Sequence, residues 1–145
     1  MWRNHLVICG LDRVALCAAE HISERFNGIK KILVLDRDPA KAELAQTLGF
    51  SFILGDANSS NSLRVAQVTA AAAVFVCIED TAALPIIRRI QKAASQTPII
   101  AVLKHKANEN AALRSGASGV LVLSEITGRL LADSVPGSRR SDRLC

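Results

Sequence analysis

The sequence predicts a doubly wound parallel α/β sheet of six strands in the order 3-2-1-4-5-6. Three observations lead there. Short aliphatic, β-branched runs alternate with stretches of helical periodicity, without a break, along the chain. The runs are apolar almost throughout, not at every second position, which is the pattern of strands covered on both faces. Right-handed crossovers then leave few topologies for six β-α repeats, and the open sheet whose order reverses in the middle is the common one.

Each element has a local cause. His5-Leu-Val-Ile-Cys9 reads as the first strand and stops at Gly10. Residues 13–25 carry apolar side chains at Val14, Ala15, Ala18, Ala19 and Ile22, a helical spacing. Lys31-Ile-Leu-Val-Leu35 is the second strand. Pro39, with its preset φ and missing N–H, opens the second helix, and Gly49 ends it. Ser51-Phe-Ile-Leu54 is a short third strand closed by Gly55-Asp56, with a helix over residues 60–67 after it. Residues 73–78 form the fourth strand. Thr81 is placed to cap a helix running to about residue 95. Pro98 opens the fifth strand, 98–103, and Gly116 ends a helix over 108–115. Residues 119–123 make the sixth strand, and Ser124 is placed to cap a last helix to Val135, broken by Pro136-Gly137. The expectation is one domain over residues 1–135 and a flexible basic tail over 136–145.

Composition excludes several classes. With 145 residues, half of them hydrophobic, the chain can build a core. Aromatics are 3% and Tyr is absent, so the core is aliphatic and a base-stacking nucleic-acid surface lacks its materials. The net charge of +5 is scattered, apart from Arg139, Arg140 and Arg143 in the tail. Cys9, Cys17, Cys77 and Cys145 form no CxxC pair, which points to reduced thiols in a cytoplasmic setting. No apolar run approaches the ~20 residues of a membrane span. The apolar stretch at the N-terminus is too short for a signal peptide. Work at a membrane would need an anchor from another polypeptide or segment.

Sheets of this kind bind ligands beyond the carboxyl ends of their strands, where the order reverses. The loops there are Gly10-Leu11-Asp12-Arg13, Asp36-Arg37-Asp38, Gly55-Asp56-Ala57 and Glu79-Asp80-Thr81. Polar loops are ordinary after strands, so their place matters more than their composition. The first loop, extended to Ala15, is compared with the dinucleotide fingerprint GxGxxG. Gly10 supplies the tight turn, and Ala15 still permits close helix–sheet packing. Asp12 replaces the glycine that lets backbone approach a pyrophosphate. Two unit charges at ~4 Å repel by about 4 kcal/mol at an effective dielectric near 20, unless Arg13 and the helix N-terminus offset this.

Asp36 directly follows the second strand, 26 residues after Gly10, where an acid accepts hydrogen bonds from ribose hydroxyls and disfavours a 2′-phosphate. Asp38 is better placed to cap the next helix, which leaves Asp36 free. Arg37 lies against an adenine, reaches a phosphate, or is simply solvated. Asp56 either bonds an adenine amino group or caps the helix after it. No catalytic constellation emerges: His5, His21 and His105 have no partner at a meaningful spacing. Glu79 and Asp80 fall short of a metal site, and Lys104 reads as a solvated cation.

With these pieces in order, the chain resembles the N-terminal lobe of the RCK domain (TrkA-N or KTN domain), the regulatory module of potassium channels and transport systems. The resemblance runs from about His5 to Val135. It rests on HLVICGLDRVA, VLDRDP, ILGDANSSNSLRVAQV, AAAVFVCIEDTAAL and SGASGVLVLSEITGRLLADSV. The resemblance implies a Rossmann-type sheet and no enzyme activity. It implies an adenine nucleotide, NAD(H) or ADP/ATP, although Asp12 and Ala15 depart from the glycine fingerprint. The implied contacts are Gly10, Leu11, Asp12, Arg13 and Val14 in the first loop, then Asp36 and Arg37. Gly55, Asp56 and Ala57 form the next turn, with Ile78 and Glu79 as neighbours. It also implies a membrane channel or transporter subunit as partner and homo-oligomers, from dimers to rings. Elements after strand five often make the dimer contact in the family; packing of the last helix on its own sheet is the other reading, and the two are not exclusive. Two other functions compete. One is the cofactor domain of an NAD-dependent oxidoreductase, and the other is an assembly module that has lost its ligand.

Overall fold

The computed structural model describes residues 2–25 and 31–137, so the predicted tail lies outside the described residues from position 138 onward. Chain order is β1 (Leu6–Cys9), α1 (Arg13–Arg25), β2 (Ile32–Asp36), α2 (Ala40–Thr47), β3 (Ser51–Leu54) and α3 (Ser60–Val65), followed by β4 (Ala73–Val76), α4 (Asp80–Ala93), β5 (Ile99–Leu103), α5 (Glu109–Ser115), β6 (Gly119–Val122) and α6 (Leu123–Asp133). The six strands form one sheet in the order β3-β2-β1-β4-β5-β6. All neighbours run parallel, with Ile8 level with Val34 on one side and Phe75 on the other. The predicted Rossmann-type doubly wound sheet is the fold.

Alternate residues of the strands feed two cores. Val7, Cys9, Leu33, Leu35, Val74 and Val76 face α3, α4 and α5, where Leu63, Ile86, Ile87, Ile90 and Ala112 meet them. Leu6, Ile8, Ile32 and Val34 face the other way, against Ala15 and Ala19 of α1 and Ala45 of α2. Both faces of β1 are therefore closed, and all four of its residues are buried. The other half of the sheet differs. In β4 and β5 burial alternates: Phe75, Ile100 and Val102 are only half-buried, and Leu121 of β6 is exposed. The last helix explains this. No residue of α6 is buried, so packing on its own sheet, one of the two expectations, does not occur there.

Several boundaries shift from the sequence expectation for identifiable reasons. Helix α4 starts at Asp80, with Glu79 before it, and the Thr81 hydroxyl donates to the Glu79 carboxylate instead of capping backbone. Helix α6 starts at Leu123, and the Ser124 hydroxyl donates to the Lys104 carbonyl. Helix α3 stops at Val65, because Gln67 takes a left-handed φ of 52°. Strand β4 ends at Val76, although the Cys77 N–H still donates to the Cys9 carbonyl at 2.9 Å. There β1 turns away at Gly10, whose φ is +89°.

Candidate functional site

A cleft of about 350 Å³ opens at the carboxyl ends of β1 to β4, where the strand order reverses. Gly10 makes it possible. A Cβ there would stand 2.6 Å from the Cys77 carbonyl oxygen and 2.7 Å from Ile78 Cγ1. Only glycine combines this approach with the left-handed turn.

Aspartates shape the rim, each by accepting backbone N–H groups. Asp12 Oδ1 accepts the Ala15 N–H at 2.8 Å, the bond of an N-cap residue opening α1. Asp36, at the end of β2, accepts the Leu11 N–H on Oδ2 and the Asp38 N–H on Oδ1, both at 2.9 Å. Asp38 Oδ1 takes the Ala40 N–H at 3.0 Å at the start of α2. Asp36 is thus engaged by backbone, where the sequence reading left it free. It locks the first loop to the second, and each of its oxygens keeps a lone pair for a further donor. Asp56 Oδ1 accepts the Asn58 N–H at 2.8 Å and closes a turn. It does not cap α3; Ser59 does.

Of the residues singled out from sequence, Gly10, Leu11, Asp12, Asp36, Arg37, Gly55, Asp56, Ala57 and Ile78 line this cleft together. Arg13, Val14 and Glu79 do not line it, and neither does Lys104. Sequence reasoning missed Lys41 and Asn58, and the wall built by Ala82, Pro85 and Ile86 of α4. That wall had a signal. Positions 82, 85, 86 and 89 share one helical face beginning just after the switch-point loop. Arg89 completes it by donating to Asn58 Oδ1 at 3.0 Å and Ser60 Oγ at 2.9 Å, which ties α4 to the loop after β3.

Two thiols lie beneath the acids. Burial pushes the Cys77 thiol up to about 12, helped by the charge of Asp12. Burial does the same to Cys9, up to about 12, with Cys77 and Asp36 adding to it. Both stay protonated near neutrality, and the thiolate is the nucleophilic form. Among the described residues no group of three or more His, Cys, Asp or Glu side chains is arranged to hold a metal. The Glu79–Asp80 pair splits: Glu79 is exposed, and Asp80 is buried and turned to the next loop. Asp80 accepts N–H groups from Lys104 at 2.9 Å, His105 at 3.0 Å and the Asn108 amide at 2.8 Å. Burial pushes its carboxyl up, but these donors outweigh that and hold it below its ordinary value. The cleft therefore offers hydrogen-bond acceptors, an apolar floor and two side-chain cations, Arg37 and Lys41.

This fold defines a lobe of the doubly wound α/β class with a cleft at its switch point. The family model of the TrkA-N domain matches residues 6–123, and the chain belongs to that family. No curated protein sequence matches it. Among solved structures it is similar to the TrkA-N domain of the inner membrane protein YbaL from Escherichia coli. The TM-score is 0.84 at 18% identity, covering 92% of this chain and 98% of that one. It is also similar to the GsuK channel bound to NAD, with a TM-score of 0.81 at 25% identity over 90% of this chain. GsuK bound to ADP superposes with a TM-score of 0.83 at 24% identity, over 93% of this chain and 35% of that one. The chain spans 23% of the length of the NAD-bound channel. No helix among the described residues is long and apolar enough to cross a membrane.

Proposed function

We propose that this chain is a regulatory lobe of a potassium channel or transporter, and that its cleft receives the adenosine part of an adenine nucleotide. The candidates are NAD(H), ADP and ATP. The observation that carries this is Asp36, held at the end of β2 on the cleft wall with an acceptor site left on each oxygen. Ribose hydroxyls suit it, and Gly55, Asp56 and Ala57 border the base. The NAD and ADP complexes of GsuK, a channel with a lobe of this shape, support the ligand class.

The module acts in the cytoplasm beneath the membrane, through a channel or transporter subunit, and it pairs with a second copy of itself. The open face of Phe75, Ile100, Val102 and Leu121 supports pairing, as does α6, on which Leu131 is 73% exposed. The role is regulatory and not catalytic: a ligand that binds two assembly shapes unequally shifts their populations.

Calorimetric titration and thermal unfolding with NAD, NADH, ATP, ADP, AMP and adenosine test the reading. A ligand at 100 times its Kd adds about 2.7 kcal/mol of stability, and Asp36→Ala removes that gain. Silence with every ligand overturns the site and leaves an assembly module. Reduction of NAD by an added alcohol or acid overturns the regulatory role.

A further inference from the structure

We infer that the cleft binds adenine ligands more weakly when their 5′ side carries phosphate, and that Asp12 sets this preference. The inference rests on the adenosine site proposed above and narrows its ligand.

A loop of this kind holds a pyrophosphate on open backbone N–H groups at the start of a helix, and a glycine lets the phosphate approach them. Here the chain's own carboxylates already hold two N–H groups of this loop and helix start. Asp12 stands at the glycine position and takes the Ala15 N–H, while Asp36 takes the Leu11 N–H. Neither bond is incidental, since one caps α1 and the other joins the first two loops. The negative charge of Asp12 also sits at the positive end of α1, where a phosphate would otherwise gain from the helix dipole.

The surrounding charge points the same way. Asp12, Asp36 and Asp56 line the cleft with only Arg37 and Lys41 as cations. None of the three acids forms an ion pair with another described residue. A pyrophosphate would bring further negative charge to this rim. A 5′-hydroxyl is a donor, and Asp12 Oδ2 accepts no hydrogen bond from the described protein.

The test is calorimetric titration of the whole chain with adenosine, AMP, ADP and NAD at one ionic strength. Wild type is compared with Asp12→Gly, Asp12→Asn and Asp36→Ala, with circular dichroism as the check on folding. Asparagine keeps an acceptor for the Ala15 N–H and removes the charge, and glycine is well tolerated at an N-cap. The expected result is adenosine binding at least tenfold tighter than ADP or NAD in wild type. Both Asp12 variants should cut that ratio at least fivefold, and Asp36→Ala should weaken every ligand. ADP or NAD binding as tightly as adenosine in wild type overturns the inference. So does an adenosine-to-ADP ratio unchanged in both Asp12 variants. If phosphates win and Asp36→Ala still abolishes binding, the adenosine site stands and the selectivity alone is wrong. If wild type binds none of the four ligands, both proposals fall.

Discussion

The two halves of the sheet are made of the same kind of strand and end in different states. Around β1 and β2, both faces are closed by helices of the chain itself, and the loops above carry aspartates that each hold a backbone N–H. Around β5 and β6, one face is closed by α4 and α5 and the other stays half-open, with α6 standing beside it and burying none of its residues. Hydrophobic residues in a strand ask to be covered, but they do not say by what. The first half closes within the chain. The second presents an apolar face of the kind that marks an interaction surface.

The sharpest way to break the first half is Gly10→Ala. The added Cβ meets the Cys77 carbonyl at 2.6 Å in a backbone that also needs a φ of +89°. We expect a loss of about 4 kcal/mol, read by urea unfolding, because overpacking and strain act together. Asp80→Ala strikes the link between the loops after β4 and β5, leaving the Lys104 and His105 N–H groups without their acceptor. A loss of about 3 kcal/mol is expected.

The same residue has a pH signature. Its folded carboxyl titrates below its ordinary value. The stability it contributes is therefore complete above the unfolded value of about 3.9, and it is lost as pH falls through the lower folded value. Wild type should lose stability along that acid limb more steeply than Asp80→Ala, in denaturant midpoints measured from pH 2 to 7.

Asp36→Ala is expected to cost less, about 1 kcal/mol, because one of the two N–H groups it releases, that of Asp38, is exposed. It separates architecture from binding: a modest fall in Tm with complete loss of adenosine binding is the expected pair of results. The smallest effect on stability belongs to the second half. Leu131→Asp should leave monomer stability within about 0.5 kcal/mol, since the side chain is 73% exposed. In analytical ultracentrifugation it should nevertheless shift a dimer to monomer. An unchanged dimer would show that α6 is not the contact.

Strand positions and sheet order were legible because unbroken aliphatic runs and glycine or proline stops are local signals. Asp36 was legible for the same reason, as an acid directly at a strand end. Caps were less so. Thr81 and Ser124 are good N-cap types, yet their hydroxyls serve Glu79 and the Lys104 carbonyl, because neighbouring loops compete for the same donors. Asp80 looked like half of an acidic pair, and its burial follows from the position of the loop after β5, some 24 residues away. The α4 wall followed a helical period, but only the cleft showed which face of the helix mattered.

Periodicity, turn residues and covalent chemistry are properties of neighbours along the chain, so the six strands, their parallel order and the acid after β2 could be read from the residues alone. Two things came only with tertiary packing. Asp36 joins two loops through an N–H 25 residues away, and the face beside α6 stays open. Each depends on which distant N–H or apolar surface arrives opposite a side chain, and a carboxylate or a leucine is the same residue in sequence whether or not that partner comes.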